Sequence, residues 1–219
     1  MSQLVSPGFL FRWKIPVAEQ PRLPHRTGRL LNLPVECRIP SLAELDGKKD
    51  FADIRLAWNQ SGFGISVEVC GRTTKPAQPS GMLMVPDGLT IWIDTRNTQG
   101  VHRATRFCHQ FYIRLLGPGR RSTEPTVEQI AINRAREETT AVDLSEIELK
   151  SEIRSDGYLL EAWFPTSVFV GFDPANSPLL GFHYELRDTE LGEQSLVVGR
   201  EFPASTDPSL WQTLQLVPA

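Results

Sequence analysis

Apolar residues recur at every second position in a succession of short runs, and this period constrains the fold more than any other feature of the chain. From Phe51 onward, Ala52, Ile54, Leu56 and Trp58 fall on one side of an extended backbone and Asp53 and Arg55 on the other. Asn59 to Gly62 has the composition of a turn, after which Phe63, Ile65, Val67 and Val69 alternate with Gly64, Ser66 and Glu68. A side-chain period of two belongs to a strand with one buried face. The two runs therefore read as an antiparallel hairpin with Trp58 in the core. The same alternation sets Leu89, Ile91 and Ile93 against Thr90, Trp92 and Asp94, and His109, Phe111, Ile113 and Leu115 against Gln110, Tyr112 and Arg114. It then sets Tyr158, Leu160, Ala162 and Phe164 against Leu159, Glu161 and Trp163, and Phe182, Tyr184 and Leu186 against His183, Glu185 and Arg187. Ile147, Leu149 and Ile153, residues 195–198 and residues 211–217 supply further strands. Residues 128–136 fit either a strand through Ile130 and Ile132 or a short helix. About ten strands at spacings of roughly 8 to 15 residues, with no amphipathic helices between them, predict an all-β fold, a two-sheet antiparallel β-sandwich.

The 219 residues suit one such domain. Five prolines, Pro7, Pro16, Pro21, Pro24 and Pro34, interrupt residues 1–35. That segment reads as an irregular arm packing on a sandwich of residues 36–219, although Phe9, Phe11 and Trp13 alternate like a short strand. The net charge of −3 gives no general attraction to nucleic acid or an anionic membrane, so neither is an expected partner. Charge is nonetheless segregated. Six arginines and no acids lie between Thr95 and Thr123, whereas Glu137 to Asp156 holds seven acids against Lys150 and Arg154. Cys37, Cys70 and Cys108 are odd in number and far apart, which argues against a disulfide framework. With no basic start leading into an apolar run, and no run nearing the ~20 residues of a membrane span, a cytoplasmic location is the expectation. The oligomeric state is left open.

The stretch from Pro86 to Arg114 gathers the most reactive side chains. His102, Cys108 and His109 suggest a metal, with Asp94 or Asp87 as an oxygen ligand, but the spacing fits no zinc pattern. Cys108 and His109, adjacent on a strand, point to opposite faces. A cysteine–histidine nucleophile is weakened by the same parity, and no hydrolase or phosphate-loop motif occurs. Glu161 has no second carboxylate placed for glycosidic cleavage, so no catalytic residue is assigned. Parity leaves Trp92, Tyr112 and Trp163 opposite the aliphatic face, with Gln110, Arg114, Glu161 and Arg187 beside them. Flat aromatic surfaces next to hydrogen-bonding groups suit a sugar or another polar small ligand. Covered by the arm or by loops, the same residues would form a second core layer with Glu161 and Arg187 as an ion pair. Arg103 and Arg106, with Arg96, Arg120 and Arg121, could meet an anionic glycan or pair with the acidic stretch.

Six segments in order, Asp53–Trp58, Gly62–Val69, Asp87–Asp94, Gln110–Ile113, Gly157–Pro165 and Gly181–Asp188, resemble the strand pattern of family 9 carbohydrate-binding modules. The likeness spans roughly residues 40 to 217. It implies a β-sandwich that binds glycan without performing chemistry, often with a structural calcium, for which Asp87, Asp94, Asn97, Asp173 and Asp188 offer oxygens. No other cofactor is expected. The competing reading is an intracellular interaction or structural protein that has kept the sandwich and lost the sugar.

Overall fold

A computed structural model describes residues 12–41, 49–76, 86–117, 123–196 and 202–219. Its strands are β1 (Lys14–Ala18), β2 (Ala52–Asn59), β3 (Gly62–Cys70), β4 (Gly88–Asp94), β5 (Cys108–Arg114), β6 (Thr126–Gln129), β7 (Glu148–Ile153), β8 (Gly157–Pro165), β9 (Leu179–Asp188), β10 (Gly192–Ser195) and β11 (Gln212–Val217). They form a seven-stranded sheet in the order β1-β11-β9-β4-β5-β6, with β10 also paired to β9, and a four-stranded sheet in the order β2-β3-β8-β7. All pairings are antiparallel except that of β1 with β11. The expected two-sheet sandwich is what the chain forms.

Alternation places the core where the sequence predicts it. Leu56, Ile65, Val67, Leu160 and Phe164 of the small sheet meet Leu89, Ile91, Phe111, Ile113 and Phe182 of the large one, and Trp58 is buried among them. The Trp58 indole N–H donates to the Val17 carbonyl at 2.9 Å, so its one polar atom is satisfied. Residues 128–136 form neither alternative in full: β6 ends at Gln129 and irregular backbone follows.

The sheets are also joined by two polar devices that alternation does not reveal. Gln194 of β10 accepts from the backbone N–H groups of Phe51 and Ala52 and donates to the Ala52 carbonyl and the Tyr184 hydroxyl. It thereby satisfies the start of β2 from the opposite sheet. Arg72, just past β3, donates from Nη1 to Asp188 at 2.5 Å and to Asp87 at 3.3 Å. Those carboxylates stand at the end of β9 and the entry to β4.

Of the expected arm, the described part begins at residue 12 and is not irregular throughout. Lys14–Ala18 is an edge strand with Ile15 and Val17 buried, a place where Pro16 can lack its N–H without breaking the ladder. Phe9 and Phe11 lie outside the described residues. From Glu19 the chain crosses to the outer face of the small sheet. There Leu23, Leu30, Leu31, Leu33 and Cys37 close over Ala57 and Trp163. Gly64 makes room: a Cβ there would lie 3.1 Å from both Leu31 and the Trp163 ring.

His109 faces the core, packed against Phe111 and Phe169. The Val170 N–H donates to its Nε2 at 3.1 Å, occupying the lone pair that protonation would need. Burial pushes its pKa down to about 4. Because the folded state holds the ring neutral and the unfolded chain binds a proton near pH 6.5, stability falls as pH drops from about 6.5 towards 4. The full effect of that shift on stability is about 3 kcal/mol. His109→Leu is expected to flatten that limb of a stability–pH curve followed by urea unfolding, and an unchanged limb would contradict the assignment.

Candidate functional site

The outer face of the seven-stranded sheet carries a polar strip in cross-strand rows. One row runs Glu128, Tyr112, Thr90, Glu185, and the next runs Thr126, Arg114, Gly88, Arg187, Glu193. On the other side of the Tyr112 row lie Gln110, Trp92 and His183. Tyr112, Thr90, Gln110, Arg114, Glu185 and Arg187 are all half-buried. Such a strip can offer a ring face together with donors and acceptors.

Tyr112 is held in place at the centre of the strip. Its hydroxyl donates to the Pro86 carbonyl at 3.0 Å. Its ring edge crosses Gly88, where a Cβ would meet ring Cε2 at 2.8 Å and the hydroxyl at 3.0 Å. A Cβ would also lie 2.5 Å from the Ile113 carbonyl oxygen, so the β4–β5 backbone pairing and the ring both require glycine here. The Arg114 guanidinium lies 5.6 Å from the ring centroid and pairs with Glu128 at 2.8 Å. Burial raises the Tyr112 pKa, keeping the phenol neutral and able to donate.

Six buried side-chain polar atoms lack a hydrogen-bond partner among the described residues: Trp92 Nε1, His109 Nδ1, Arg114 Nε, Thr126 Oγ1, Tyr158 OH and His183 Nε2. Four of them, on Trp92, Arg114, Thr126 and His183, sit on this one face. Unsatisfied buried groups are costly, and each calls for a partner such as water or an ion, or for a source of strain.

The residues predicted to share a face do not all do so. Trp163 and Glu161 belong to β8 in the small sheet, whereas Trp92, Gln110, Tyr112, Arg114 and Arg187 lie on the large one, so the two groups point away from opposite sides of the sandwich. Glu161 is 1% exposed and accepts from the N–H groups of Leu30 at 2.8 Å and Asn32 at 2.9 Å. The Glu161–Arg187 ion pair that the covered-face alternative would have held does not form, and Arg187 faces Glu193 at 3.8 Å instead. Trp163 lies under the amino-terminal segment. Trp92 is covered as well, at 2% exposure, by Ala104, Cys108, Ile132 and Trp211.

Arg103 and Arg106 lie at the loop that covers Trp92. Arg103 donates to the carbonyls of Arg134 and Ala135. The Arg106 N–H donates to Glu137, and its guanidinium stacks on Phe107 at 5.0 Å. Arg120 and Arg121 lie outside the described residues.

The oxygens considered for calcium do not converge. Asp87 and Asp188 face Arg72, Asp94 accepts from the N–H groups of Arg96 and Thr98, and Asp173 accepts from Asn176. This donor set does not fit a single cation, and among the described residues no three His, Cys, Asp or Glu side chains are grouped to hold a metal. Cys108 and His109 point to opposite faces, as parity requires, and burial pushes the Cys108 thiol up to about 12. His102, Asp207 and Ser209 form a Ser-His-Asp set by composition. Both partners meet the same Nδ1, at 3.0 and 3.1 Å, so no proton path runs from the serine through the ring to the acid.

Thr90, His183, Glu185, Glu128 and Gly88 join the strip without having been singled out as site residues. Their outward parity was readable in the sequence, but the strand neighbours that bring them to Tyr112 were not.

The fold is a two-sheet β-sandwich similar to that of family 9 carbohydrate-binding modules. No family model matches the chain, and no curated protein matches it. Among solved structures, the fold is similar to a family 9 carbohydrate-binding module from Caldicellulosiruptor kristjanssonii in complex with cellotriose. That likeness has a TM-score of 0.62 and 15% identity over 94% of this chain and 95% of that one. A family 9 module from the same organism in complex with glucose matches at a TM-score of 0.54 and 16% identity, over 77% of each chain.

Proposed function

We propose that this protein is a non-catalytic saccharide-binding module that receives its ligand on the polar strip of the seven-stranded sheet. The observation that carries the reading is Tyr112, a half-buried ring laid over Gly88 among Thr90, Gln110, Glu185 and Arg187. A pyranose can stack its C–H face on such a ring while these neighbours meet its hydroxyls. The sugar complexes of the two similar folds support the ligand class.

The burial of Trp92 and Trp163 favours the competing reading, an interaction or structural sandwich, for those two indoles alone. Neither offers a ring face for stacking, which leaves that role to Tyr112. Arg103 and Arg106 are engaged with the loop over Trp92.

A glycan array spanning neutral, uronic and sulfated oligosaccharides tests the function. Retention of a defined glycan class by the wild type, lost with Tyr112→Ala, is the expected outcome. A protein that retains no glycan at all is not a saccharide-binding module.

A further inference from the structure

We propose that Arg72 is a built-in counter-ion that takes the place of a structural divalent cation, so that this sandwich joins its two sheets without calcium. The inference goes beyond the saccharide reading and does not rest on it. The likeness in strand pattern implies a calcium, and two of the oxygen donors it points to, Asp87 and Asp188, do converge. They stand at the entry to β4 and the end of β9, both buried. What their Oδ2 atoms meet is a guanidinium: Arg72 Nη1 lies 3.3 Å from Asp87 and 2.5 Å from Asp188.

Every carboxylate oxygen of the pair is taken. Asp87 Oδ1 accepts from the Thr189 N–H, and Asp188 Oδ1 accepts from those of Glu190 and Leu191. Arg72 is itself fixed, with Nε donating to the Thr74 carbonyl and its backbone N–H donating to the Asp156 carbonyl. Glu190 accepts in turn from the N–H and hydroxyl groups of Thr73 and Thr74. The network thus runs from the exit of β3 in the small sheet to β4 and β9 in the large one, the span an ion joining the sheets would have to cover.

Buried carboxylates persist only with a counter-charge. A divalent cation supplies one, but its contribution varies with its free concentration. A guanidinium stays charged at every pH a folded protein meets and is always present. The turn it fixes also carries the Pro86 carbonyl that accepts from Tyr112, so the placement of that ring needs no metal either.

Removing the guanidinium leaves an oxygen site. Asp87 Oδ2 and Asp188 Oδ2 lose their shared donor, and the Tyr158 hydroxyl is buried without a hydrogen-bond partner among the described residues. Burial, then the charges of Asp188 and Asp87, push the Tyr158 pKa up, which sets this third oxygen beside the same two acids. Oxygens of this kind are what a hard cation takes.

The test is thermal unfolding of the whole protein in excess chelator and in about 10 mM calcium, a concentration above the weak end of protein calcium sites, for the wild type, Arg72→Ala, and Arg72→Ala combined with Asp87→Asn and Asp188→Asn. The wild-type midpoint is expected to move by less than about 1 °C between the two conditions, whereas Arg72→Ala gains about 4 °C or more with calcium and the triple variant gains nothing. A wild-type midpoint that falls on chelation overturns the proposal, since the fold then depends on the ion Arg72 is held to replace. No gain for Arg72→Ala, including a variant that stays unfolded at every calcium concentration, overturns it too. A gain that persists in the triple variant places the calcium on other oxygens and is equally fatal. The wild-type comparison needs no variant to fold, and failure of the saccharide reading leaves all of these outcomes readable.

Discussion

Arg72→Met is expected to lose about 3 to 5 kcal/mol of folding stability, one of the two largest effects of any single substitution considered for this fold. The Arg72 side chain is 3% exposed, and those of Asp87 and Asp188 are 3% and 0%. Their remaining oxygens are held by backbone: Asp87 Oδ1 accepts from Thr189, and Asp188 Oδ1 accepts from Glu190 and Leu191. Removing the guanidinium leaves two carboxylates facing each other without a counter-charge where β3 leaves one sheet and β4 and β9 meet in the other. The expected loss comes from stranding those charges rather than from the net worth of the ion cluster. Arg72→Met combined with Asp87→Asn and Asp188→Asn should therefore recover a large part of it. Urea unfolding of the single, double and triple variants measures the coupling directly. A single variant within about 0.5 kcal/mol of wild type would show that the cluster does not join the sheets.

The second large effect is expected from Glu161→Ala, at about 2 to 4 kcal/mol. Glu161 holds two backbone N–H groups of the segment crossing the small sheet, and Lys150 Nζ donates to the Gly28 carbonyl beside it. Without the carboxylate, the Leu30 and Asn32 N–H groups lose their acceptor, and the leucines lying over Trp163 lose their anchor. Glu161→Gln keeps one acceptor oxygen and should lose less than half as much. Hydrogen exchange at Leu30 and Asn32 reads this locally. Protection that survives Glu161→Ala would contradict the anchoring role.

Both devices mark the limit of what alternation reveals. Parity correctly separated Leu89, Ile91 and Ile93 from Trp92, and Phe111 and Ile113 from Tyr112, because one residue of slip would turn an entire apolar set outward. It also kept Cys108 and His109 from sharing an ion. Parity does not specify which strands become neighbours. Trp163 and Trp92 carry the same outward phase, yet β8 pairs with β3 and β7 while β4 pairs with β5 and β9, so the two indoles end on opposite sides of the molecule. An outward tryptophan beside outward Leu159 already hints at a covering layer, and the leucines of residues 23–33 supply it. The Arg72 cluster and Gln194 join residues more than a hundred positions apart, a separation that no local pattern encodes.

The central claim concerns Tyr112. Calorimetric titration of wild type, Tyr112→Ala and Trp163→Phe with the best-retained oligosaccharide decides it. Saturable binding by the wild type, roughly thirtyfold weaker binding by Tyr112→Ala, and no change for Trp163→Phe, whose ring is buried on the opposite side of the sandwich, are expected. Equal affinity of Tyr112→Ala and wild type, or a loss that follows Trp163 instead, would contradict it.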